Sequence, residues 1–180
     1  EQPSHSESLK FTADLKLLKI ALASRDYPRA VQLAMQLPAE RSEVFTVNSD
    51  DAVQVWRLRV ESFLRIGDMK AASDALAEMK SALGKQNNSP WVAVYLPLSE
   101  SDVAWRSGQR ESAIDHCKKA FEISQTYDVP ALNVQIAAAC VPRLIERDDE
   151  KTARQLSALS GRWADSDMTA AWVQAEIHQW

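Results

Sequence analysis

The chain has 180 residues, 46% of them hydrophobic, with 21 basic and 25 acidic residues and a net charge of -4. That much apolar material packs one domain or one repeat array and excludes wholesale disorder. The charge excludes a nucleic-acid binder that relies on a strong overall positive field, and no apolar run approaches the ~18 residues of a membrane span.

Glycine is scarce, at 4 residues, and Ala, Leu, Glu, Lys, Gln and Arg dominate. These are good helix formers, so an all-α fold is predicted. The pattern predicts nine helices. Residues 7–24 and 27–37 come first. The segment 38–49, PAERSEVFTVNS, is the longest loop and a candidate functional or mobile segment. Ser49-Asp50-Asp51 then caps a helix over 50–66, which Gly67 closes. A helix over 69–84 ends at Gly84. Ser89-Pro90 opens 90–107, closed by Gly108, and 110–127 follows. Asp128-Val129-Pro130 opens 130–147. A helix over 149–160 ends at Gly161, and Ser166 with Asp167 opens the last, 167–180. Each glycine thus sits where a left-handed residue stops a helix. Pro97 and Pro142 fall inside predicted helices and should kink them or shift their starts. The chain opens on Glu1-Gln2-Pro3 rather than Met, so a domain of a longer protein is expected, with a removed leader or anchor left open.

An internal repeat runs through these elements. Asp26-Tyr27-Pro28-Arg29-Ala30 aligns with Asp68-Met69-Lys70-Ala71-Ala72, with Gln109-Arg110-Glu111-Ser112-Ala113 and with Asp149-Glu150-Lys151-Thr152-Ala153. The small residues Ala30, Ala72, Ala113 and Ala153 recur at intervals of 42, 41 and 40. Four residues later stand Ala34, Leu76, Cys117 and Ser157; seven later stand Leu37, Met79, Ala120 and Ser160. Phe63, Ala104 and Leu144 keep register in the preceding helix. The pattern predicts helical hairpins, each with an alanine where another helix crosses close over it.

This pattern resembles the tetratricopeptide repeat family. The match is best over residues 56–79, where Trp56, Phe63, Gly67-Asp68, Ala72, Leu76 and Met79 stand where that family places its Trp, aromatic, turn, small and large residues. Segments 104–120 and 27–37 match more loosely, and 136–160 least. The period departs from the family's ~34 residues. At 40 to 42 residues it requires longer helices or loops, which looks like the divergent arrays of bacterial regulators.

The resemblance implies one domain over residues 1–180. It would be a right-handed α-α superhelix of four hairpins, 8–37, 50–84, 90–127 and 130–160, with 167–180 as a capping helix. It also implies a concave surface lined by the first helix of each hairpin. By register, Lys19, Gln54 and Gln135 face inward there. So do Arg57, Glu61, Arg65, Tyr95, Asp102, Trp105 and Arg106, which form the candidate binding cluster. Arginine and aromatic residues recur in binding hot spots, and a guanidinium grips a carboxylate bidentately. The ordinary alternative pairs the arginines with Glu61 or Asp102 on a solvated face and puts Trp105 in the core.

Other constellations carry less. His116 and Cys117 are helical neighbours pointing about 100° apart, so they do not make a nucleophile–base pair. Cys117 and Cys140 fall on helices that should touch. A disulfide between them is conceivable; the alternative is two unpaired core thiols. Asp148-Asp149-Glu150 and Asp165-Ser166-Asp167 read as helix caps rather than metal ligands. No phosphate loop, HExxH, GxSxG or CxxC occurs. Among the six tryptophans, Trp56 and Trp91 read as core. Trp163, Trp172 and Trp180 either seal the end of the array or form an exposed apolar patch.

The resemblance implies a non-enzymatic module that binds a protein or peptide, the interaction or sensory domain of a larger bacterial signalling or regulatory protein. A small-molecule effector and a homodimer stay open as further partners. No cofactor, metal, catalytic residue or direct nucleic-acid contact is expected. The alternative is a self-associating structural or assembly protein that uses its terminal Trp-rich end. The compartment, cytoplasm or periplasm, stays open; a Cys117–Cys140 disulfide would favour the periplasm.

Overall fold

The structure, a computed structural model, describes residues 5–39, 50–83, 89–127 and 130–164. Among the described residues it holds eight α-helices and no strand. They are α1 (His5–Ala23), α2 (Tyr27–Ala39), α3 (Asp50–Ile66), α4 (Met69–Leu83), α5 (Pro90–Arg106), α6 (Arg110–Ser124), α7 (Pro130–Glu146) and α8 (Glu150–Ala164). The fold is therefore all-α, as composition predicts. The expected ninth helix, 167–180, lies outside the described residues, as do Gly84 and residues 40–49 of the long loop.

One boundary expectation changes. Gly161 does not stop α8, which runs on to Ala164. A single glycine near a helix end costs only about 1 kcal/mol, and the flanking Arg162, Trp163 and Ala164 can carry the helix past it. Pro97 and Pro142 do not shift the starts of α5 and α7, which begin at Pro90 and Pro130.

Four turns join the helices in pairs, and all four have the same backbone. One or two residues past the end of each first helix the backbone is left-handed: Arg25 (φ 62°), Gly67 (79°), Gly108 (78°) and Asp148 (58°). The next N–H reaches five residues back: Asp26 to the Ala21 carbonyl, Asp68 to Phe63, Gln109 to Ala104 and Asp149 to Leu144, at 2.9–3.0 Å. The left-handed residue itself donates three back, to Leu22, Leu64, Trp105 and Ile145. This double bond pattern is a Schellman motif, which satisfies the last carbonyls of a helix. The second helix then starts at once. Asp26, Asp68 and Asp149 each accept an N–H three residues on, from Arg29, Ala71 and Thr152. Side-chain oxygens at this position satisfy the orphan donors of a helix start. Gln109 makes no such cap.

The turn fixes the packing. Four residues past each capping position lie Ala30, Ala72, Ala113 and Ala153, all at most 3% exposed. The residues on which the C″ N–H closes, Ala21, Phe63, Ala104 and Leu144, are also buried. Each hairpin is thus closed by a small residue on one helix and an apolar one on the other.

The chain divides into two compact units, Glu1–Val92 and Ala93–Trp180. In the first, α2 packs against both α1 and α3, α3 against α4, and α1 touches α3. Phe11, Leu15, Leu18, Ala30, Leu33, Ala34, Leu37 and Val55 make one apolar cluster across α1, α2 and α3. In the second, α6 packs against α7, and α7 against α8. The Ser101 hydroxyl of α5 donates to the Ala113 carbonyl of α6 (2.8 Å). A disulfide joins Cys117 of α6 to Cys140 of α7. Of the two alternatives for these cysteines, the structure takes the bonded one. Both units place two hairpins so that the first hairpin's second helix lies against the next hairpin's first helix.

Candidate functional site

The seven candidate residues divide between the units. Arg57, Glu61 and Arg65 lie on α3 in the first; Tyr95, Asp102, Trp105 and Arg106 lie on α5 in the second. On α3, Glu61 and Arg65 form an i,i+4 ion pair at 3.1 Å. Arg57 is half-buried on the same helix. Lys19 of α1 reaches Gln54 of α3, its Nζ donating to Oε1 at 2.7 Å.

On α5 the residues separate. Tyr95 is 2% exposed, so it belongs to the core and does not line a surface. The reason is local. Val92, Val94, Tyr95, Leu98 and Ser99 are all buried. A helix apolar on most sides is enclosed on most sides, and a one-face template then misplaces its residues. Asp102 is half-buried and held by Arg143 of α7, whose Nη2 donates to Oδ1 at 2.5 Å. Trp105 is half-buried, with the Arg110 guanidinium 3.9 Å and that of Arg143 5.7 Å from its ring centre. Arg106 is exposed. Trp56 and Trp91, read as core, are half-buried, and Arg59 stands 5.5 Å from the Trp56 ring.

Asp102 and Trp105 belong to a network that ties three helices together. Arg143 Nη1 donates to the Ser101 hydroxyl (2.7 Å) as well as to Asp102. Ser101 also lies 3.2 Å from the Cys117 sulfur. Arg110 donates to the Trp105 carbonyl (2.7 Å) across the turn. His116 of α6 pairs with Glu100 of α5 (3.1 Å), and Lys118 of α6 with Asp149 at the start of α8 (2.7 Å). The Asp149 carboxyl is held below its usual range, first by the Lys118 hydrogen bond and then by the Thr152 bonds. Such bonds stabilise the charged form.

Sequence reasoning missed Arg143, Arg110 and Arg59. The signal for Arg143 was its place three residues after Cys140, on the same face of a helix. Arg110 stands five residues after Trp105, across a turn that folds it back. Arg59 bridges helices: it pairs with Glu78 of α4 (3.3 Å) and donates to the Met35 sulfur of α2 (3.2 Å).

In the second unit Arg106 presents an exposed guanidinium, a group suited to an anion, and the Trp105 ring is stacked by Arg110. Arg65, in the first unit, is paired with Glu61. Cys117 is no nucleophile, since its sulfur is bonded. Among the described residues no group of three or more His, Cys, Asp and Glu is placed to hold a metal ion. No helix among them is long and apolar enough to cross a membrane. Of the candidates for an end patch, Trp163 falls on α8, and Trp172 and Trp180 lie outside the described residues. No family model matches the chain, and no curated protein matches it.

Proposed function

We propose that the four hairpins continue as a tetratricopeptide-like, right-handed solenoid, and that the chain is a non-enzymatic module that binds an acidic peptide segment of a partner protein. One observation carries this reading. Arg65 and Arg106 stand at the same register position, two residues before Gly67 and Gly108, and both are exposed. Each has an acid four residues earlier. Glu61 turns to Arg65, whereas Asp102 turns to Arg143. Arg106 is therefore presented without its helical neighbour's carboxylate. An exposed guanidinium suits a bidentate carboxylate contact. The buried disulfide favours an oxidising compartment, such as the periplasm, over the cytoplasm. A regulator's sensory or assembly domain fits this reading.

The test is selection of peptides from a random display library, followed by calorimetric titration. Peptides rich in Asp and Glu should emerge, and Arg106→Glu should weaken them at least tenfold with an unchanged circular dichroism spectrum. Selected peptides that bind Arg106→Glu as well as the parent chain, or a selection that yields no acidic sequence, would overturn the reading.

A further inference from the structure

The donors of Arg59 on α3 are unevenly met. Its Nη1 pairs with Glu78 of α4 at 3.3 Å. Its Nη2 donates to the Met35 sulfur of α2 at 3.2 Å, and a thioether is a weak acceptor. The Nε hydrogen is buried and has no acceptor among the described residues. The side chain is only 14% exposed, so water meets little of this need. Nε and Nη2 share the edge of the guanidinium that oxygen acceptors take as a fork. That edge therefore carries two donors, one on a poor acceptor and one on none. A buried donor left unmet costs stability, and native chains keep few of them.

The acceptor that would meet this edge is one oxygen atom away. Met35 is 45% exposed. The chain has four methionines. Met79 is 0% exposed and Met69 half-buried, while Met168 lies outside the described residues. An oxidant in solution therefore reaches the Met35 sulfur ahead of the Met79 sulfur. Oxidation turns the apolar thioether into a polar sulfoxide, whose oxygen accepts hydrogen bonds. With three rotatable bonds and an exposed position, the Met35 side chain can draw its sulfur back and set that oxygen on Nη2 and Nε.

We infer that Met35 is an oxidation site for hydrogen peroxide, and that Arg59 binds the sulfoxide formed there. A sulfur lone pair attacks one peroxide oxygen. The O–O bond breaks as the S–O bond forms. Sulfur gives up an electron pair and is oxidised; the peroxide is reduced. The departing hydroxide takes the proton of the transferred oxygen and leaves as water. The sulfur contact between α2 and α3 becomes a charge-assisted hydrogen bond to oxygen. Because α2 ends the first hairpin and α3 opens the second, oxidation ties these two hairpins more firmly. This is the reverse of the usual outcome, in which the polar sulfoxide loosens apolar packing.

The experiment treats the full 180-residue chain with graded hydrogen peroxide and follows each methionine by peptide mass mapping. Met35 should gain one oxygen before Met79 does. Thermal midpoints are then read before and after treatment for the parent, Met35→Leu and Arg59→Gln. Measured against its effect on Met35→Leu, treatment should raise the parent midpoint by about 2–4 °C, the shift that one net hydrogen bond gives a chain of this length. In Arg59→Gln the rise should vanish. A parent midpoint that falls or stays level against Met35→Leu overturns the inference, and that comparison does not need the Arg59 variant to fold. So does an equal rise in Arg59→Gln, or a Met79 oxidised ahead of Met35.

Discussion

Asp149 shows how much one side chain carries at a repeated turn. It caps α8 by accepting the Thr152 N–H, and it receives Lys118 from α6 at 2.7 Å. The first job is shared with Asp26 and Asp68; the second is its own. Its folded carboxyl titrates below the unfolded one, chiefly because of the Lys118 hydrogen bond. The sign follows from linkage: its contribution is complete above the unfolded carboxylate range near ~3.9 and is lost as pH falls through the lower folded value. Asp149→Ala should therefore cost about 1 kcal/mol at neutral pH, the usual worth of a helix cap. The difference from the parent chain should narrow below about pH 4. Urea midpoints of the two proteins at neutral and acid pH measure this; an equal gap at both would remove the charge from the explanation. The same turns also show two residues at a cost. Arg25 and Asp148 occupy the left-handed position that Gly67 and Gly108 take without strain. For an ordinary L-residue that conformation costs roughly 1–2 kcal/mol. The repeat therefore rests on hydrogen bonding around the turn as well as on glycine.

At the scale of the element, the small residue is the feature to test. Ala72 is 0% exposed in α4, and its neighbour Ser73 is exposed. Ala72→Leu should destabilise the chain by roughly 1–3 kcal/mol through overpacking. Ser73→Leu, one position round the helix, should change the denaturation midpoint little. Equal effects would mean that no helix crosses closely over Ala72. The recurrence of Ala30, Ala72, Ala113 and Ala153 is what made the hairpins legible in the sequence, because close crossings demand small residues at fixed spacing. The same logic failed on α5. Carrying one inward-facing register onto every first helix put Tyr95 on a surface, although the run from Trp91 to Leu98 is apolar on all sides. The neighbours of Cys117 were equally hidden. Helical periodicity gives the face a residue takes; it does not give the distance to a residue on another helix. The bond to Cys140 and the reach of Arg143 to Asp102 both depend on that distance.

Across the whole molecule the two compact units differ in what holds them. Each repeats the same turn and the same sandwiching of a second helix between two first helices. Only the second carries a covalent link, from α6 to α7, between cysteines 23 positions apart in the chain. Closing a loop of that size removes about 3 kcal/mol worth of freedom from the unfolded chain. Both sulfur-bearing residues are at most 1% exposed, so a reductant reaches them only when the helices open. Dithiothreitol should leave the native bond intact for hours and break it at once in denaturant, read as alkylatable thiols by mass. The double substitution Cys117→Ala, Cys140→Ala should then speed amide hydrogen exchange in α6 and α7, by up to about a hundredfold where exchange requires global opening. Amides of α1 to α3 should exchange as before if the staple acts within its own unit. A uniform acceleration across both units would mean that the bond stabilises one cooperative body instead, and unchanged exchange in α6 and α7 would show that the Asp102–Arg143 pair and the apolar core hold those helices without it.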